Sequence, residues 1–351
     1  MLELHEPAGA FAQLAEYVVG QGCDVDVFLA YGLSEPLRRD PRPAPPEPCR
    51  LPLLAAQPAS ARTDSPARAF DVGAWVPTWP AAGYAAAIEE VRAAIGRGDV
   101  YQVNLVQHLS APFAGDPRGL ADALVELRPL HARPLVGEGW AIVSASPELF
   151  LARRGDRLVT RPIKGTRPLG QDVDDDKDAA EHTMIVDLER NDLSRVCEPG
   201  TVRWPELMHQ RELAGVTHLE STVEGRLRSG VGLAEILEAL FPGGSITGAP
   251  KVAALDHIAR LEPVGRGASM GAIGTIHANG DFELALTIRT LAVAGGRAHL
   301  WVGGGIVWDS DPEQEVEESW VKARPLLTAI DATEGVPEPV EATPRASEAS
   351  A

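Results

Sequence analysis

Lys164, in the segment RPIKGTRPLG, places a primary amine beside two glycines and Thr166, in a turn-like stretch between apolar strand patterns. An unprotonated amine held there would be a nitrogen nucleophile, whereas a lone loop lysine ordinarily stands in water as a cation. Glu148, in SASPELFL, follows small residues and a proline, at a strand end from which a carboxyl group can enter a cavity. Partial burial there would raise its pKa and keep a proton for a departing hydroxyl. Solvent exposure, the commoner fate of such a glutamate, would leave it an ordinary carboxylate.

Two acidic pairs come next. Asp178 and Glu181 lie three apart at the start of a predicted helix, and Glu315 and Glu318 repeat the spacing on a C-terminal one. Each pair therefore shares a helix face. Acids near a helix N-terminus also complement its dipole, but DPEQEVEES offers no basic partner before Lys322. Oxygen donors from two helices, completed by water, suit Mg²⁺ rather than zinc. Arg289 ends FELALTIRT on the face shared by Glu283, Ala285 and Thr287. Its guanidinium fits a carboxylate bidentately, either a substrate's or that of a structural ion pair. Gly303, Gly304 and Gly305 would let backbone amides approach an anion. FPGGSITGAPK is not a phosphate loop, because Lys251 follows Ala-Pro rather than the second glycine of G-x-x-x-x-G-K. Ser245 and Thr247 read instead as pocket residues.

These groups need elements to hold them. From Pro80, Tyr84, Ile88, Val91 and Ile95 recur at helical spacing until Gly96 and Gly98 stop the pattern. In VYQVNLVQHL, Tyr101, Val103, Leu105 and Leu109 alternate with Gln102, Asn104 and His108, which predicts a strand. Strand patterns follow at 140–151, 157–164, 282–293 and 298–308, and helical ones at 117–130, 178–195, 232–241 and 313–329. Their interleaving lacks a strict βαβ repeat and predicts an α+β fold. Residues 1–34 read as a short N-terminal segment, 35–79 as a Pro/Ala-rich linker or arm, 80–330 as the catalytic domain and 331–351 as a disordered tail.

Composition bounds the partners. The 351 residues are 44% hydrophobic, enough for a large core, and carry a formal charge of -18. Such a chain repels nucleic acid and anionic membrane surfaces, so an anionic substrate needs a local cation. Cys23, Cys49 and Cys197 are odd in number and unpaired in spacing, which excludes a disulfide framework and a structural zinc site and predicts a cytoplasmic setting. No run of about 18 apolar residues and no signal-peptide pattern is present.

SASPELFL, EHTMIVDLERNDLSRV from Glu181, HLESTVEG from His218, FPGGSITGAPK, LALTIRT and GGGIVWDSDPEQEVEESWVKA from Gly303 occur in one order. Together, over roughly residues 80–328, they resemble the chorismate-binding enzymes. The resemblance implies that family's large α+β fold, with antiparallel sheets, outer helices and a cleft between them. It implies that Glu181 and Glu318 bind Mg²⁺, with Asp178 and Glu315 assisting through water. Glu148 would be the general acid for the C4 hydroxyl of chorismate, Arg289 would hold the enolpyruvyl carboxylate, and Lys322 would support a carboxylate.

Two positions separate the branches of that family. Its water-adding members carry a general-base lysine where this chain has Gln102, as the ammonia-adding members do. Anthranilate synthases typically read PIAGT where this chain reads PIKGT, a lysine shared with the aminodeoxychorismate synthase branch. The implied reaction joins chorismate and ammonia into 4-amino-4-deoxychorismate through a covalent Lys164 intermediate, toward p-aminobenzoate and folate. Anthranilate synthase component I and a non-catalytic chorismate-binding subunit are the alternatives. Gly165 and Thr166 flank the nucleophile, and His218 is read as pocket wall or as a satisfied core histidine. Leu169 stands where arginine is common, and a Leu-Leu-Glu-Ser-like segment of the family's tryptophan site is missing. No cysteine sits in a glutaminase context, so ammonia is expected from solution or from a separate glutamine amidotransferase subunit.

Overall fold

A computed structural model describes residues 1–59, 69–168, 176–213 and 216–334. The described residues form two antiparallel sheets, of ten and eight strands, with seven α-helices. These are α1 (Ala10–Gln21), α2 (Ala81–Arg97), α3 (Arg118–Leu124), α4 (Asp176–Ser194), α5 (Leu233–Leu240), α6 (Lys251–Leu261) and α7 (Pro312–Ala329). The α+β expectation holds.

The helical spacing from Pro80 has the predicted result. Tyr84, Ile88 and Val91 of α2 are fully buried, and Gly98 ends the helix in the left-handed region at φ 81°. The hydroxyl of Tyr84 donates to the Leu105 carbonyl at 2.8 Å, fixing α2 to the long strand Gln102–Gly115. At α7, Asp311 caps the helix by accepting from the amides of Glu313 and Gln314, with Pro312 in the first turn. That cap sets the rotation of α7, which packs on the strand Arg297–Ile306 and on α2.

The composition-based boundaries at 34 and 79 do not divide the molecule. Residues Leu54–Pro58, expected in a linker, pair with Leu2–Leu4 and Val25–Leu29, and the latter pairs with Ala272–Ile276 of the catalytic region. Leu54, Ala55 and Ala56 are fully buried, because this apolar run lies within a Pro-rich neighbourhood and composition averages it away. Residues 60–68 of the expected linker and 335–351 of the expected tail lie outside the described residues.

The chain passes twice between the sheets close to the future site. It leaves the smaller sheet after Trp140–Ser144 and enters the larger at Leu149–Arg154, and it returns between Phe282–Leu286 and Thr290–Ala294. The continuous strand predicted over 282–293 is therefore two strands in two sheets. The two crossings are stitched together: the amide of Ala145 donates to the Arg289 carbonyl at 2.9 Å, and that of Leu286 to the Glu148 carbonyl at 3.0 Å. No helix among the described residues is long and apolar enough to cross a membrane.

Candidate active site

Both crossings deliver a charged side chain to one cleft of about 240 Å³. Glu148 comes from the first and Arg289 from the second. Arg289 has φ 48°, a left-handed corner rather than a strand position, so strand alternation does not set its direction as the sequence pattern suggested.

Glu148 is 4% exposed. Its Oε1 accepts from the Ser245 hydroxyl at 2.8 Å and from the Ile163 amide at 3.5 Å. Burial raises its pKa, with the Lys164 charge and these donors opposing. Lys164 lies on the strand Ile163–Pro168, and its Nζ makes a long contact of 3.5 Å with the Ser245 carbonyl. Burial lowers the amine's pKa, against the pull of Glu148 and Glu181. The surroundings thus push this pair toward a protonated acid and a neutral amine, the forms that general-acid and nucleophilic chemistry need. Ser245 is the hinge between them, offering its hydroxyl to one and its carbonyl to the other.

His218 ties Arg289 to the segment that carries Lys164. Its Nδ1 lies 2.7 Å from the Gly165 carbonyl, which only accepts, so Nδ1 carries the proton and Nε2 can accept from Arg289 Nη2 at 3.4 Å. Burial drives the His218 pKa down to about 4, consistent with a neutral ring in that tautomer.

Across the cleft stand Glu181 of α4 and Glu315, Glu318 and Lys322 of α7, with Gly303, Gly304 and Gly305 between. Lys322 Nζ lies 2.7 Å from Glu318 Oε1 and donates to the Gly303 carbonyl at 2.9 Å. The expectation of acids without a basic partner is therefore corrected: the i+4 lysine turns back along α7 onto Glu318. A methyl group at Gly304 would stand 3.1 Å from that ammonium, so the bare backbone there gives the ion pair room. Among the described residues no three His, Cys, Asp or Glu side chains form a ready metal-binding group. Glu181 and Glu318 nevertheless offer all-oxygen donors to one cleft, a set that fits a hard divalent cation if water and ligand oxygens complete the shell. The side chains of Asp178 and Thr166 lie outside the described residues.

Two polar residues of the strand Gln102–Gly115 changed places relative to expectation. Gln102, expected in the chemistry, does not line the cleft. It is fully buried against Gly305, where an added Cβ would come within 2.5 Å of Gln102 Nε2, and neither atom of its amide head has a hydrogen-bond partner. Asn104, not singled out from the sequence, does line the cleft, 6% exposed and with Oδ1 unpartnered. Its main chain is held by the fully buried Arg266, whose Nη2 donates to the Asn104 carbonyl at 2.7 Å and whose Nη1 donates to that of Ile246 at 2.9 Å. A buried acceptor without a donor costs roughly 1–3 kcal/mol, so Asn104 is suited to a ligand's N–H or O–H. Thr247, expected in the pocket, turns away and donates to the Gly243 carbonyl at 2.9 Å.

Residues 37–328 match the family model for chorismate binding enzymes. This chain belongs to the chorismate-binding enzyme family. It is similar to anthranilate synthase component 1 of Streptomyces coelicolor, 39% identical over 314 residues that make up 85% of this chain and 59% of the relative. It is also similar to aminodeoxychorismate synthase component 1 of Bacillus subtilis, 39% identical over 264 residues, 72% of this chain and 56% of the relative. The chain thus spans a little over half the length of these curated relatives. Among solved structures, anthranilate synthase component I from Streptococcus pneumoniae TIGR4 superposes with a TM-score of 0.75 at 26% identity, covering 86% of this chain and 80% of that one.

Proposed function

We propose that this chain is an aminodeoxychorismate synthase component 1, forming 4-amino-4-deoxychorismate from chorismate and ammonia in p-aminobenzoate and folate biosynthesis. The observation that carries the reading is the placement of Lys164 and Glu148 on either side of Ser245. Identity alone does not choose between the two activities, because relatives bearing both names match at 39% identity. Lys164 supports the first reading, since an anthranilate-forming site has no need of an amine beside its general acid.

Neutral Lys164 attacks C2 of chorismate, forming a C–N bond as the ring double bonds shift and the C4–O bond breaks. Glu148 gives its proton to the departing hydroxyl, which leaves as water. Ammonia then attacks C4, and the C2–N bond breaks to release Lys164 as the free amine. Glu148, now a carboxylate, takes a proton from the incoming nitrogen, so both groups end as they began. Arg289 holds the enolpyruvyl carboxylate, Lys322 supports the ring carboxylate, and Asn104 accepts a hydrogen bond from the bound reactants. Gln102, behind Gly305, supplies no base that would admit water as the nucleophile. The deciding experiment incubates chorismate, Mg²⁺ and ammonium salt with the protein and identifies the product by mass and by its response to an aminodeoxychorismate lyase. Anthranilate formed directly would sink the assignment.

Mg²⁺ would be held by Glu181 and Glu318, with Glu315 and Asp178 acting through water, and would supply charge to neutralise a substrate carboxylate. Glu181→Gln and Glu318→Gln should each abolish turnover while leaving the melting temperature of the metal-free protein within a few degrees. Calorimetry should show Mg²⁺ binding by the wild type and its loss in both variants. Full wild-type rates in excess chelator would contradict the metal's role.

A separate glutamine amidotransferase subunit would deliver ammonia to this site. The isolated chain should turn over with ammonium and fail with glutamine, and a cognate amidotransferase should restore glutamine use. Measuring product from ¹⁵N-amide glutamine in each case gives the answer, and equal use of both nitrogen sources by the isolated chain would refute the two-subunit arrangement.

A further inference from the structure

The loop that supplies Ser245 has a second set of partners, facing away from the cleft. It runs from the end of α5 to α6 and carries the short 3-10 turn Gly244–Ile246. Glu189, on α4, is 5% exposed, and its Oε1 accepts from the Gly244 amide at 2.9 Å. One turn further along α4, Asp192 pairs with Lys251 Nζ at 2.5 Å. The same ammonium donates to the Pro242 carbonyl at 2.7 Å and the Leu240 carbonyl at 3.4 Å. Three points of the loop are thus anchored to carboxylates of α4, directly at Gly244 and through Lys251 at Leu240 and Pro242.

Gly244 is the last residue before Ser245, so its anchor fixes the group between acid and amine. A Cβ at Gly244 would stand 2.6 Å from Leu188 and 3.0 Å from Glu189 Oε1, which shows how closely α4 is pressed against the turn. Two carboxylates near each other in an apolar setting are costly to bury without a role. Burial and the Asp192 charge raise the Glu189 pKa to about 7, with Lys251 and the Gly244 amide opposing and Glu148 adding to the rise. A group meant only to stabilise the fold is more cheaply replaced by an apolar side chain.

We propose that Glu189 is a positioning residue for the reaction: by holding the Gly244 amide it sets the Ser245 hydroxyl on Glu148 and the Ser245 carbonyl on Lys164, with the Asp192–Lys251 pair bracing the same loop. This rests on the functional reading above for the chemistry, although the clamp itself is independent of which product forms. It also gives the EHTMIVDLERNDLSRV segment two tasks on one helix, ligand contact through Glu181 and loop placement through Glu189.

The test uses three variants of the full chain. Glu189→Gln keeps an oxygen for the Gly244 amide, Glu189→Asp keeps the charge but withdraws it by one methylene, and Glu189→Leu removes the acceptor. Chorismate consumption, whatever the product, should fall about tenfold to a hundredfold in kcat for the Asp and Leu variants, with KM within about twofold, because misplacement by about an ångström has effects of that order. Their pH–rate profiles should shift, since Glu148 loses the aligned Ser245 donor, while Glu189→Gln should keep at least a third of kcat and the wild-type profile. Hydrogen exchange followed by mass spectrometry, without substrate, should show the Gly244 amide exchanging at least tenfold faster in the Asp and Leu variants and unchanged in Gln. Should the Leu variant not fold, the Asp–Gln comparison carries the test alone. Faster exchange with unchanged kcat and pH profile would reduce Glu189 to a structural role and overturn the proposal, as would a Gln variant as impaired as Asp. An unexpected product with the predicted exchange and kcat pattern would instead overturn the assigned reaction and leave the clamp standing.

Discussion

Lys164→Ala should lower the rate of aminodeoxychorismate formation by at least about 10³-fold, roughly 4 kcal/mol of barrier, without unfolding the protein. The side chain is only partly buried, and among the described residues its amine makes a long contact with the Ser245 carbonyl at 3.5 Å. On the proposed reaction, removing the amine would remove the first bond-forming step and leave ammonia to react without the displacement that directs it to C4. Trace anthranilate from the variant would fit direct attack at C2. The check is single-turnover product analysis, with denatured wild-type enzyme examined for a mass adduct on the peptide that carries Lys164. Wild-type rates in the variant, or an adduct on another residue, would remove Lys164 from the mechanism.

Glu148→Gln should cost about 10²–10⁴-fold in kcat, the usual range for a positioned proton donor, with KM for chorismate little changed. The amide preserves the Ser245 contact but has no acidic proton. The wild-type pH profile should be bell-shaped. Raising the pH converts Lys164 to the reactive free amine, and its lowered pKa moves that limb below the ordinary lysine range. Raising the pH also ionises Glu148, whose raised pKa keeps the proton available above the ordinary carboxylate range. In Glu148→Gln the limb belonging to the acid should vanish while the limb belonging to the amine remains. Measurement at constant free ammonia separates these titrations from that of the nucleophile, and an unchanged two-limbed profile in the variant would exclude Glu148 as the acid.

What could be read in the chain was whatever depended on near neighbours. The burial of Tyr84, Ile88 and Val91 follows from helical spacing, and the orientation of α7 follows from Asp311-Pro312 and the i, i+3 acids. Glu148 was recognisable as a carboxyl group at a cavity edge, but the extent of its burial was not, because Ser245, 97 positions away, helps to close over it. Arg289 defeated strand alternation because the chain turns a corner there to change sheets. Gln102, Asn104 and His108 shared one alternating polar face, yet met three fates. Gln102 is sealed behind Gly305, Asn104 lines the cleft, and His108 lies 3.0 Å from His299 in a buried aromatic cluster with Trp301. Period-two patterning identifies a face and says nothing about what the other sheet and α7 place opposite each position. The pairing of β-strand Leu54–Pro58 was hidden for a related reason, since its partners Leu2–Leu4 and Val25–Leu29 are distant in sequence and lie across the Pro-rich stretch.

The stitched crossings impose a metric on the substrate. Because the segments bearing Glu148 and Arg289 are hydrogen-bonded to each other in both directions, the main chains that carry the carboxyl and the guanidinium are held to one another. The carboxylates of α7 ride on the smaller sheet, whose strand Thr290–Ala294 begins at the residue after Arg289, so Glu318 and the guanidinium share one support. On the proposed reading, the cleft would act as a caliper of set span, gauging a ligand's leaving oxygen at Glu148 against its carboxylates at Arg289 and Lys322.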